Sequence, residues 1–191
     1  MRRLALMLLA SGFVAGIFSA GSTTVAAEPD AAARAAVKLT AATWEDVQKI
    51  VAGARGKVVV LDVWSTACQP CMEEFPHLIK LQRDQPETVC ISISVDYAGI
   101  RSKPPEYYRE RVEIFLAEQK AEAVKNYLCS QPADELFEKI ELDSIPAVYV
   151  YGRDGKLAQR FDNRTPAKPG SEGISYETQV VPLVEKLVKQ R

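Results

Sequence analysis

The sequence predicts an α/β fold, a central mixed sheet flanked by helices. Three observations predict it. Residues 58–64, VVVLDVW, form a run of branched aliphatics with no polar alternation, the pattern of a central strand covered on both faces. Segments with apolar residues at helical spacing alternate with such runs. The last third then reads as a hairpin followed by one more amphipathic helix, and strands and helices in that order build an α/β sandwich.

Each element has its own signal. Val37 to Thr40 reads as a short strand. Thr43 before Trp44, Val47, Ile50 and Val51 reads as a capped amphipathic helix, ended by Gly53 and Gly56. The strand over 57–64 follows. A helix then runs to about Arg83, with Phe75, Leu78, Ile79 and Gln82 on one face and Pro76 as a point of disruption. Thr88 to Val95 is a second buried strand. Residues 97–126 exceed a simple crossover, and Pro104-Pro105 introduce a helix with Val112, Phe115, Leu116 and Gln119 on one face. Lys125 to Cys129 reads as a short edge strand and Ala133 to Ile140 as a short helix. Ala147–Tyr151 and Lys156–Phe161 read as a hairpin around Arg153-Asp154-Gly155. Residues 162–174 are rich in Gly, Pro and charge, a surface loop. A closing helix carries Val180, Val181, Val184, Leu187 and Val188 and is expected to start near Pro182.

With 191 residues, 47% of them hydrophobic, the chain suffices for one domain with a real core. A net charge of −1 lacks the basic excess of a nucleic-acid binder. Arg2 and Arg3, the apolar stretch Leu4 to Phe18 and Val25-Ala26-Ala27 before Glu28 read as a signal peptide over 1–27. The expectation is a periplasmic or secreted protein, with an uncleaved N-terminal anchor as the alternative. Residues 28–36 are expected as a flexible mature N-terminus and 37–191 as the folded domain.

Four cysteines are present: Cys68, Cys71, Cys90 and Cys129. A structural zinc site wants a second close pair, and the single histidine is His77. Haem attachment wants a histidine after Cys71, where Met72 stands. Neither metal nor cofactor is therefore expected. A disulfide between Cys90 and Cys129 is open, beside two inert thiols.

Cys68-Gln69-Pro70-Cys71 falls between a strand and a helix. Cysteines three apart at a helix start can close a small disulfide. The free N–H groups and dipole of that helix end stabilise a thiolate at Cys68, and the thiolate is the nucleophile of thiol–disulfide exchange. The same spacing also suits a disulfide that is only structural.

The stretch VVVLDVWSTACQPCMEEFP resembles the active-site segment of the thioredoxin superfamily. Asp62, Trp64, Cys68, Pro70, Cys71 and Pro76 fall at the spacing of that pattern, and Ser144-Ile145-Pro146 resembles its cis-proline loop. The export signal, the insert over 97–126 and EEFP after Cys71 look most like the exported TlpA/ResA-like thiol–disulfide oxidoreductases. The resemblance implies a thioredoxin-like fold with a helical insert before the cis-proline region. It implies Cys68 as nucleophile, Cys71 as the resolving thiol and Asp62 as a buried proton acceptor for Cys71. Trp64, Pro70, Ile145 and Pro146 are implied on the substrate side. One departure stands out: the family usually has tryptophan directly before the first cysteine, and this chain has Ala67.

The activity expected is reduction of protein disulfides. The alternatives are a thiol oxidant, or a binding module for a partner protein or Cu(I) without turnover. The reductase needs an upstream electron donor, and the resemblance implies a membrane thiol-transfer protein. A protein thiol or disulfide is the expected substrate, nucleic acid is not a partner, and a monomer is expected.

Overall fold

A computed structural model describes residues 31–166 and 173–190. The expected signal peptide over 1–27 lies outside the described residues, as do residues 28–30.

The first described element corrects the sequence reading. Ala31–Ala36 form a short helix, α1, where a loose terminus was expected. Ala33 and Val37 pack against the core, and Arg34 pairs with Glu110 at 3.3 Å. Alanine has the highest helix propensity, and a neighbouring helix supplies the surface that a six-residue helix needs.

β1 (Leu39–Ala42) lies two residues later than expected. α2 (Trp44–Gly53) begins with a capping box in which the Thr43 side chain accepts from the Asp46 backbone N–H and Asp46 accepts from that of Thr43. β2 (Val59–Trp64) is buried throughout. α3 (Gln69–Asp84) runs through Pro76, and β3 (Val89–Ser94) follows. The insert provides α4 (Pro105–Glu118) and leads into β4 (Lys125–Cys129). α5 (Ala133–Lys139), the hairpin β5 (Ala147–Tyr151) and β6 (Leu157–Phe161), and α6 (Val181–Lys189) complete the chain. The last helical region starts before Pro182, because a π-helical turn over Tyr176–Val180 leads into α6.

The six strands lie in the order β1-β4-β3-β2-β5-β6. β1, β4, β3 and β2 are parallel; β5 runs antiparallel to β2 and to β6. β4 is therefore an inner strand, not the edge strand expected. Its polar Asn126 is 3% exposed. Asn126 accepts from Ser92 Oγ at 2.8 Å and donates to the Ala121 and Val124 carbonyls at 2.9 and 3.0 Å. A buried amide with its bonds made costs little inside a sheet.

Side-chain alternation divides the core into two layers. Val58, Val60 and Trp64 face α3, α4 and α6, with Phe75, Leu116 and Val184 among their neighbours. Val59, Leu61 and Val63 face α2 and α5. Cys90 belongs to the first layer and Cys129 to the second, and both are free thiols. The sheet lies between them, which rules out the Cys90–Cys129 disulfide left open by the sequence.

Candidate active site

β2 ends at Trp64 and α3 begins at Gln69, so the intervening turn is anchored by a buried strand and by a helix start. The Cys68 N–H donates to the Ser65 carbonyl at 3.1 Å, closing the turn. Cys68 is the N-cap of α3 and Pro70 occupies its first turn, where a missing N–H removes no helix bond. Cys68 and Cys71 form a disulfide with a Cα–Cα distance of 5.3 Å. The Cys71 N–H reaches the Cys68 sulfur at 3.3 Å. Cys68 is half-buried and Pro70 exposed, whereas Cys71 is 2% exposed. A partner can thus reach the first sulfur, while the second is protected.

β5 enters from the other side. Val63 stands opposite Ala147 across the β2–β5 pair, so the chain just before Ala147 lies at the same end of the sheet as the cysteine turn. The Ile145–Pro146 peptide bond there is cis, as the family resemblance implied. Ile145 and Cys68 are both partly buried and pack on the same core layer. Cys68, Cys71, Pro70, Ile145 and Pro146 therefore share one end of the sheet.

Trp64 belongs to that end in sequence but not on its surface. It is 1% exposed, with its ring 4.8 Å from those of both Phe75 and Phe115. It braces the end of β2 against α3 and α4 from inside, and offers no face to a substrate. The expectation of a substrate-side Trp64 is corrected by that burial. Ala67 is exposed and leaves the rim beside Cys68 without an aromatic cover.

Asp62 is the one acidic group of β2 and is 3% exposed. By strand alternation it points to the layer that holds Cys71. Burial pushes its pKa up to about 7; a hydrogen bond from Tyr176 works against the rise and the nearby Glu74 charge adds to it. The Tyr176 hydroxyl donates to Asp62 Oδ2 at 2.6 Å, and Oδ1 has no hydrogen-bond partner among the described residues. The Tyr176 backbone N–H donates to Glu74 of α3 at 3.0 Å. Burial, followed by the Asp62 charge, raises the Tyr176 phenol well above its usual range, so it stays a donor.

Tyr176 is the residue that sequence reasoning missed. It lies 114 positions from Asp62, at the start of the π-helical turn. Its sequence signal is slight, an aromatic two residues past the polar loop. Glu74 clasps the C-terminal segment onto α3 through that bond.

No family model matches the chain, and no curated protein matches it by sequence. Solved structures do. A thiol–disulfide isomerase from Corynebacterium glutamicum is 19% identical with a TM-score of 0.53, over 81% of this chain and 96% of that one. A thioredoxin-family thiol:disulfide interchange protein from Chlorobium tepidum is 16% identical with a TM-score of 0.51, over 72% and 83%. The fold is thioredoxin-like. A secreted Mycobacterium tuberculosis disulfide oxidoreductase homologous to DsbE is 18% identical with a TM-score of 0.50, over 72% and 84%. These neighbours are thioredoxin-like thiol–disulfide oxidoreductases, and at such identities the likeness speaks for the fold alone.

Among the described residues no group of three or more His, Cys, Asp or Glu is placed to hold a metal ion, and no helix is long and apolar enough to cross a membrane.

Proposed function

We propose that this protein is an exported thiol–disulfide oxidoreductase that reduces protein disulfides through Cys68 and Cys71. The observation that carries the reading is the asymmetry of the pair: a reachable Cys68 at a helix start, a covered Cys71 one turn on, and a buried carboxyl in the same layer.

In the reduced protein the Cys68 thiolate attacks one sulfur of a substrate disulfide. The S–S bond breaks, a mixed disulfide forms, and the departing substrate sulfur takes a proton. Cys71 gives its proton to the Asp62 carboxylate and attacks Cys68. The second substrate sulfur leaves as a thiol, and the protein holds the Cys68–Cys71 disulfide, having passed on two electrons. A pKa near 7 suits Asp62 to accept a proton at neutral pH and return it later. Pro70 and Ile145 form the rim over which a substrate chain lies, the buried Pro146 holds the loop behind them, and the Ile145 backbone offers the substrate hydrogen bonds.

Each turnover leaves the protein oxidised, so an upstream dithiol donor is required, and a membrane thiol-transfer protein is the donor class we assign. The leader expected over 1–27 supports export. The protein acts as a monomer with no metal or organic cofactor.

The test is the reduction potential of Cys68–Cys71, measured in glutathione and dithiothreitol buffers, together with reduction of a model protein disulfide. A strongly reducing potential with turnover supports the proposal. A potential near the oxidising extreme makes the protein a thiol oxidant, and a pair that does not exchange makes it a binding module. Asp62→Asn is expected to slow resolution of the mixed disulfide at least about tenfold; an unchanged rate removes Asp62 from the mechanism.

A further inference from the structure

A second buried carboxylate lies next to the cysteine turn. Asp96 follows β3, and its side chain is fully covered. It accepts from the Thr66 N–H at 3.1 Å and from the Thr66 hydroxyl, from Ser94 Oγ at 2.6 Å, and from the Arg111 guanidinium at 2.5 Å. Arg111 belongs to α4, and its guanidinium lies 4.6 Å from the centre of the Tyr108 ring. One carboxylate thus ties together the turn, the end of β3 and the insert helix.

Thr66 stands in the middle of the turn that Ser65 and Cys68 close, and it is gripped by both backbone and side chain. The Ala67 N–H donates to Ser65 Oγ at 3.1 Å, so the residue directly before Cys68 is also held. A helix-start N–H stabilises a thiolate only while the sulfur stays within reach, as the Cys68 sulfur is to the Cys71 N–H. A slack turn loses that alignment. Arg111 offsets the negative charge that Asp96 would otherwise present to a thiolate nearby.

We propose that Asp96 is a positioning residue for Cys68: by gripping Thr66 it fixes the turn that holds the nucleophile, and through Arg111 it makes the insert helix part of the redox site. The inference rests on Cys68 being the nucleophile.

Two variants remove one hydrogen bond each from the same carboxylate. Thr66→Val releases the turn and Ser94→Ala releases only β3. The readout is the alkylation rate of Cys68 by iodoacetamide in the reduced full chain, followed by peptide mass spectrometry between about pH 5 and pH 9. Thr66→Val is expected to slow alkylation at neutral pH about fivefold, the worth of one hydrogen bond, and Thr66→Ser to restore it. Ser94→Ala is expected to stay within about twofold of wild type while lowering the melting temperature like Thr66→Val. A wild-type rate in Thr66→Val overturns the inference, and so does equal slowing in Ser94→Ala, which marks general loosening. A wild-type Cys68 that reacts no faster in the folded protein than in urea refutes the nucleophile itself, and this inference with it.

Discussion

Asp62 on β2 and Asp96 just past the end of β3 are both buried beside one pair of cysteines, and their surroundings are opposite. Asp62 sits mid-strand among apolar side chains and accepts one hydrogen bond, from a neutral phenol. Asp96 sits past a strand end and accepts four, one of them from a guanidinium. The contrast teaches that burial alone does not set a carboxylate's role. A carboxyl with few partners and no cation is free to exchange a proton near neutral pH. One met by several donors anchors the groups that bond to it.

The largest expected effect comes from Asp96→Ala. It strands a buried serine hydroxyl and the Thr66 N–H and leaves Arg111 without its ion pair. A loss of about 3–5 kcal/mol in urea unfolding is expected. A loss below about 1 kcal/mol would break the contrast, because Asp96 would then be no more anchored than Asp62.

Asp62→Asn is expected to act in the other direction. The pKa of Asp62 is raised in the fold, so the folded protein holds this proton more tightly than the unfolded chain. The associated stability is fully present below about pH 4 and is lost as pH rises through about 7. The asparagine variant is expected to gain on the order of 2–4 kcal/mol over wild type at pH 8 and to flatten the profile between those limits. Unfolding across pH checks this, and a variant no more stable at pH 8 means that Asp62 is not held near neutrality.

Tyr176→Phe sharpens the comparison by removing the one side-chain hydrogen bond that Asp62 accepts among the described residues. A loss of about 1–2 kcal/mol is expected at pH 8 and less at pH 5, because the phenol bonds best to the charged carboxylate. The infrared titration midpoint of Asp62 is expected to rise above that of wild type. The smallest effect belongs to Glu74→Gln. Removing that charge lowers the Asp62 midpoint, by less than about one unit because Glu74 is partly solvated. A rise instead would mean that Glu74 acts by clasping Tyr176 rather than through its charge.

Much of this was legible in the chain because it is local. The capping Thr43, the unalternating β2, the cysteine spacing and the hairpin glycine are patterns that a few neighbouring residues complete. Asp62 stood out because a lone acid in an apolar run has no local explanation. Other features were not legible. Lys125–Cys129 reads as an edge strand and is an inner one, and the partners of its Asn126 come from β3 and from the loop before β4. Trp64 reads as a surface for substrate and is core, since Phe115 arrives from the insert. The alanine-rich start reads as loose and is helical, since α4 offers it a surface.

By itself the sequence determined most of the strands and helices, and where Cys68 and Cys71 sit between them, because period and spacing act over a few residues. The tertiary structure alone decided what surrounds each buried charge. Tyr176 reaches Asp62 across 114 positions, and Arg111 reaches Asp96 from the insert. Desolvation and hydrogen bonding depend on neighbours in space, and the chain order does not name them.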